Sequence, residues 1–327
     1  MVVTITAAAR RVTSLHACCA VLVAVILARP LLVTAVDAPG VRTAATVFVA
    51  VCVQALPFLV LGVVVSGAIA AFVPARAVER LLPGRAAVPA AGVAGLLLPG
   101  CECASVPVAR RMIGRGVPDA AALTFLLAAP AINPVVLVAT AVAFPGEPLV
   151  VLARGIASFA TACVMGLLWQ RRGRPEWIAA RVRAPVADAG APRWVVFAET
   201  ARHDLVSAGG FLVVGGLAAA VFAVAVPASW TAALGRDLVL AIAVMAVLAV
   251  VLALCSEADA FVVASMSTVP LTARLAFLVV GPAVDVKLIA LQAGTFGRAF
   301  ALRFAPATLA VAVLCATVTS LLLLGTR

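Results

Sequence analysis

Charged side chains are scarce in this 327-residue chain: they make up 11% of it, with one lysine, Lys287, and two histidines, His16 and His203. Soluble domains carry about a quarter charged residues, so a water-soluble globular fold is excluded. The lone lysine follows no glycine, and no G-x-x-x-x-G-K-[ST] phosphate loop is present. The chain therefore encodes no nucleotide-driven motor of its own, and transport has to run on an ion gradient or on a partner's ATPase. H-E-x-x-H and G-x-S-x-G are also missing, which removes the simplest intramembrane hydrolases, and no enzymatic activity is expected. Short segments of alternating polarity, the mark of outer-membrane barrels, do not occur.

What fills the chain is apolar: 65% of residues are hydrophobic and the mean hydropathy is +1.22. Apolar runs at about 17–36, 44–73, 118–143, 148–169, 205–228, 270–294 and 305–324 reach or approach the ~20 residues a helix needs to cross a bilayer. The fold class is all-α, a polytopic protein of the bacterial inner membrane with the lipid bilayer as its main partner. Arg10 and Arg11 followed by the run from Ala17 to Ala28 resemble a signal peptide with a small-residue site near Ala38. Because apolar character resumes after Arg29 and Pro30, the segment is read as a first membrane helix.

The net charge of +11 sits between apolar runs rather than on one face, which reads as loops obeying the positive-inside rule and not as a nucleic-acid surface. Of eight cysteines, Cys18, Cys19, Cys52, Cys163 and Cys315 lie inside apolar runs as small packing residues. The chain divides into an N-terminal region (1–43), a first set of membrane helices (44–169), a basic cytoplasmic linker (170–204) and a second set (205–327). The assembly state, a homo-oligomer included, stays open.

Two apolar segments, about 86–109 and 237–266, are interrupted by polar residues, "CECAS" in one and "CSEAD" in the other. A shift of 152 residues carries Cys103 onto Cys255, Val117-Pro118 onto Val269-Pro270, Pro130-Ala131 onto Pro282-Ala283 and Cys163 onto Cys315. Matched Pro, Phe and Cys in one register point to an internal repeat. If each interrupted segment enters and leaves on one side as a re-entrant hairpin, every arginine-bearing loop falls on the cytoplasmic side and the second half is inverted. The alternative is an unwound segment that crosses completely.

Irregular backbone inside a bilayer is tolerated only where protein or a water-filled cavity satisfies it, so the interruptions mark a site. The first holds Cys101, Glu102, Cys103 and Ser105, with Pro107 expected to stop the helix, and is followed by Asn133 between Pro130 and Pro134. The second holds Cys255, Ser256, Glu257 and Asp259, followed by Asp285 at the position equivalent to Asn133. Intramembrane acids are functional by default, so Glu257, Asp259 and Asp285 are candidate ion-coupling residues, and Glu102 is read as reaching the cytoplasmic interface. The competing reading is structural pairing, Asp285 with Lys287 or Glu257 with Arg274. Cys101, Cys103 and Cys255, with Ser105 and Asn133, form the candidate substrate site. Thiols suit soft partners such as Cu(I), Zn(II) or trivalent arsenic. C-x-C without a nearby histidine is not a zinc-site pattern, and no resident metal or cofactor is expected.

The stretches "LLPGCECASVPVARRMIGRGVPDAAALTFLLAAPAINPVVL" and "LCSEADAFVVASMSTVPLTARLAFLVVGPAVDVKLIAL" resemble the paired signatures of the bacterial predicted permeases that include the ArsP organoarsenical exporters. The resemblance runs from about residue 44 onward. It implies a multi-helix inner-membrane permease, with export of trivalent organoarsenicals through cysteine thiols as the associated activity, and Cys101, Cys103 and Cys255 as the thiol ligands. Glu102 and Gln54 depart from the family pattern, where a small polar residue and a glutamate are common. The alternatives are a permease for another small molecule or metal ion with purely structural cysteines, and the membrane subunit of a larger transport assembly.

Overall fold

The computed structural model describes residues 39–72, 86–97, 102–183, 192–225, 237–256, 258–266 and 269–325. The expected signal-like segment and first helix, Cys101 and Glu257 lie outside the described residues. Those described form an all-α protein: α1 (Pro39–Phe72), α2 (Ala87–Ala94), α3 (Glu102–Gly114), α4 (Asp119–Ile132), α5 (Pro134–Ala143) and α6 (Pro148–Arg172) in the first half. A short α7 (Ala180–Arg183) lies in the linker, and α8 (Arg193–Ala225), α9 (Leu238–Leu252), α10 (Asp259–Ser265), α11 (Leu271–Ala283), α12 (Val286–Thr295) and α13 (Arg298–Leu323) make up the second half. Among the described residues four stretches, 119–143, 148–172, 271–295 and 298–323, are long and apolar enough to cross a membrane. Membrane helices of this length match the bilayer core at 1.5 Å rise per residue.

The runs read as single spans over 118–143 and 270–294 are each broken. α4 stops at Ile132 and α5 begins at Pro134, with Asn133 extended between them (φ −63°, ψ 155°). Proline at the first helical position needs no N–H partner, and the Asn133 side chain caps the new helix. Asp285 does the same ahead of α12. Pro107, expected to stop a helix, instead lies inside α3. At the sixth position of α3 the ring removes one backbone bond and crowds the carbonyl four residues earlier, a cost of about 3 kcal/mol that the surrounding packing has to offset.

Close contacts fix the directions of the chain. Gly166 near the end of α6 has no room for a Cβ, which would sit 3.0 Å from Val88 of α2 and 3.2 Å from the Ala120 carbonyl of α4. At the other end of α2, a Cβ on Gly95 would fall 2.8 Å from Ala129 N. α2 therefore runs alongside α4 in the same direction, from the level of its start to within four residues of its break. α3 ends at Gly114, just before α4 begins, so the start of α2 and the end of α3 lie on the same side.

That side also holds the linker. Ala179 N–H donates to the Phe296 carbonyl at 2.7 Å, and Gly114 abuts the Val182 carbonyl. The opposite side gathers Glu147, Leu149, Leu271, Leu323 and Leu324 around a small cavity of 240 Å³. Consequently α4–α5 leaves the linker side whereas α11–α12 arrives at it. The same 152-residue shift carries Asp119 to Leu271 and Pro134 to Val286, the first residues of α4 and α11 and of α5 and α12. Contacts across the halves pair α1 with α8, α4 with α11, α6 with α13, α3 with α12 and α10 with α5.

Two apolar cores result, one built on α1, α3 and α4 and closed by Phe296, Phe300 and Phe304, the other on α9, α11 and part of α6. Between lipid-facing helices apolar burial supplies little drive to associate, so close packing at small residues, such as Gly62 of α1 directly on Ala104 of α3, and polar contacts have to fix how the helices fit.

Candidate functional site

The breaks bring buried charge together. Glu102 is the first residue of α3, where a carboxylate is favoured by the helix dipole. Its Oε1 accepts from Lys287 Nζ at 2.9 Å, and the two side chains are 1% and 2% exposed. Glu102 thus reaches the protein interior, against the expectation of an interfacial position, because the start of α3 packs against α12, which supplies a cation there. Asp285 Oδ2 stands 3.5 Å from the same ammonium, while its Oδ1 accepts the Leu288 N–H at 2.6 Å and caps α12. The pairing foreseen for Asp285 with Lys287 is present, and Glu102 joins it. Glu102 Oε2 has no hydrogen-bond partner among the described residues.

Asn133 occupies the equivalent break. Its Oδ1 accepts the Val136 N–H at 3.0 Å and its Nδ2 donates to the Ala129 carbonyl at 3.0 Å, so one side chain ties the end of α4 to the start of α5. Ser105 is buried and donates to the Glu102 carbonyl at 3.0 Å. The backbone of Cys103 belongs to α3; its side chain lies outside the described set.

A second charged centre forms at the other interruption. Asp259, the first residue of α10, receives Arg154 Nη2 at 2.8 Å. The same nitrogen donates to the Ser256 carbonyl at 2.9 Å, and Nη1 donates to Thr140 Oγ1 at 2.7 Å. Arg154 is completely buried. Cys255 is 3% exposed, and its carbonyl accepts the N–H groups of Ala258 and Asp259. Arg274, offered as a partner for Glu257, lies over the Phe144 ring at 5.7 Å.

Arg154 and Thr140 were missed by sequence reasoning, although the signal existed. Arg154 is a charge inside an apolar run, and the argument that singled out the acids applies to it unchanged. Among the described residues no three His, Cys, Asp or Glu side chains converge on a metal-sized site. An apolar groove of about 710 Å³ runs beside α5 and α6, lined by Leu96, Ile132, Leu137, Phe144, Val151 and Phe159 among others.

A family profile described as a predicted permease, ArsP_1, matches residues 40–321. The UPF0718 protein YcgR of Bacillus subtilis is 34% identical over 263 residues, covering 78% of this chain and 89% of that protein. A Streptococcus mutans protein named as a putative two-component membrane permease complex subunit is 32% identical over 268 residues, covering 79% of this chain and 88% of its own length. No solved structure matches significantly.

Proposed function

This chain belongs to the ArsP_1 predicted permease family, and from that premise we propose that it is a secondary exporter of a small, thiol-reactive solute, the class to which trivalent organoarsenicals belong. It works in the bacterial inner membrane as an inverted repeat, each half contributing one re-entrant hairpin and one broken helix. The observation that carries this reading is that each interrupted segment packs its polar residues against the opposite half, Glu102 on Lys287 and Asp259 on Arg154. Transporters commonly put their sites at such paired breaks, where irregular backbone is protected from lipid.

In this reading Cys101, Cys103 and Cys255 are the solute ligands, because a soft electrophilic centre exchanges readily among thiols. Ser105 and Asn133 line the site. Glu257 and Asp285 carry the coupling proton, whereas Asp259 is held by Arg154 and contributes by position. Protonation of a thiolate releases its ligand, which links the proton to the solute chemically.

The test is uptake of trivalent methylarsenite into everted vesicles from cells expressing the chain, with and without Cys101→Ser, Cys103→Ser and Cys255→Ser together. Uptake that disappears with the thiols supports the reading. Uptake that survives their loss returns the cysteines to packing and leaves a permease for another solute.

A second reading follows from the Streptococcus mutans relative, named as one subunit of a two-component permease complex. The exposed Arg171, Arg172 and Arg174 at the linker side offer a basic docking face for a soluble partner. Co-purification of a stoichiometric ATPase with the full chain favours that reading over a secondary exporter.

A further inference from the structure

Arg154 sits in the apolar α6, is fully buried, and gives its donors to three separate stretches of the chain. An arginine inside a membrane span is expensive and persists where it has a task. Here the guanidinium fork spans acceptors that a point charge cannot bridge together. One arm takes Thr140 on α5, and the other takes both the Ser256 carbonyl and the Asp259 carboxylate.

The backbone it touches is the second interruption. α9 stops at Leu252, and Ala253 follows at φ +48°, a left-handed conformation that alanine adopts only under constraint from its surroundings. The Cys255 carbonyl then closes a turn by accepting Ala258 and Asp259 N–H, and α10 begins. The path of the interruption is thus fixed at Ala253, Cys255, Ser256 and Asp259, and Arg154 contacts the last two. Cys255 lies between the left-handed alanine and the anchored serine. The 152-residue shift carries Arg154 to Pro306, so this arginine has no counterpart at the equivalent position of the second half.

We propose that Arg154 is the positioning residue of the second interruption, holding the Ser256 carbonyl and Asp259 against the first half so that the Cys255 thiol stands in one place to meet the solute. This rests on the reading of Cys255 as a solute ligand, and it assigns a role to a residue with no thiol or proton chemistry of its own. Without the fork, Ser256 and Asp259 lose their hold on α5 and α6, and the turn they belong to opens locally while the helices around it stay packed.

The test reads the rate at which N-ethylmaleimide modifies each cysteine of the full chain in native membranes, with Cys52, Cys163 and Cys315 as internal references. Arg154→Lys keeps the charge and loses the fork; Cys255 modification is expected to rise at least about tenfold while the references change less than about twofold, as local opening demands. Because a lone buried charge can unfold a protein, Arg154→Met with Asp259→Leu removes both charges, and the same selective rise is expected. Unchanged Cys255 reactivity in both variants overturns the proposal, and so does an equal rise at all four cysteines in both. Protection of Cys255 by phenylarsine oxide in the unaltered chain checks the underlying reading separately. If protection is absent there, Cys255 is no solute ligand; if it is present and the variants leave Cys255 unaffected, the ligand reading stands and the anchoring fails.

Discussion

Replacing Lys287 by Met would remove the one cation from between Glu102 and Asp285, at distances of 2.9 and 3.5 Å. At an effective dielectric of ~20, unit charges at those separations attract by roughly 5.7 and 4.7 kcal/mol. Desolvation of the three groups offsets much of that, so the pair itself adds little net stability. Removing one partner is different, because it strands the others: the expected loss is about 3–5 kcal/mol. Glu102→Gln alone is milder, about 1–3 kcal/mol, since Lys287 keeps Asp285. The informative variant is the double one. With Lys287→Met already present, Glu102 is a buried carboxylate without its partner, and changing it to Gln removes the penalty. The double variant should therefore be more stable than Lys287→Met, by about 1–3 kcal/mol. Apparent thermal midpoints in detergent at one fixed scan rate provide the assay, because unfolding of such chains is often irreversible. Lys287→Met should lower the midpoint by on the order of 10 °C and the added Glu102→Gln should recover several degrees. If the two losses simply add, the pair does not exist as a unit and the placement of Glu102 beside Lys287 is wrong.

Asn133→Ala removes a cap and the bond back to Ala129, and should lower stability by about 1–2 kcal/mol in the same assay; no change would mean the break is held by its prolines alone. Gly95→Ala has to push a methyl toward Ala129 N, whereas Gly155→Ala meets only Leu137 at 3.6 Å. The first should destabilise measurably and the second should be neutral or gain up to ~1 kcal/mol from helix propensity, with equal effects arguing against the close approach of α2 to α4. In a background without native cysteines, Arg115→Cys and Arg298→Cys should react with an impermeant maleimide from one side of the membrane and Pro145→Cys from the other. Parallel halves would place residues 145 and 298, nearly equivalent under the repeat, on the same side, so co-labelling of Pro145→Cys with Arg298→Cys would remove the inversion.

The sequence announced the interruptions because Cys, Ser, Glu and Asp in the middle of apolar runs have no other physical explanation than a place sheltered from lipid. It also announced the pairing of Asp285 with Lys287, two residues apart. The breaks at Asn133 and Asp285 were visible as polar residues within three positions of a proline, yet the runs around them read as whole spans. Hydropathy cannot distinguish a straight helix from two half-helices whose capping side chain replaces the missing backbone bonds. Glu102 was misplaced for a related reason: position along the chain does not give depth, and only its long-range partner Lys287 of α12 shows that the start of α3 lies inside. The partners of Glu102 and Asp259 lie 185 and 105 residues away, and no local pattern encodes which basic residue of which half will face them.

Those long-range pairs share one property: each crosses between the halves. Glu102 on α3 meets Lys287 on α12, Asp259 on α10 meets Arg154 on α6, and at the linker side Arg110 and Arg111 of α3 meet the buried Asp204 of α8 at 3.4 Å. Apolar contacts between membrane helices are nearly indifferent to register, because lipid tails satisfy a leucine as well as a neighbouring helix does. A buried charge is not indifferent, since sliding by one turn of helix, about 5.4 Å, leaves it unpaired. The two halves can thus each be built by hydropathy and capping, while their fit to one another is specified by a few ions. The same contacts constrain any rocking of one half against the other: each excursion has to separate a pair or carry it along. A movement that separates one of these pairs has to leave each buried charge compensated by another partner, whereas one that carries the pair along does not.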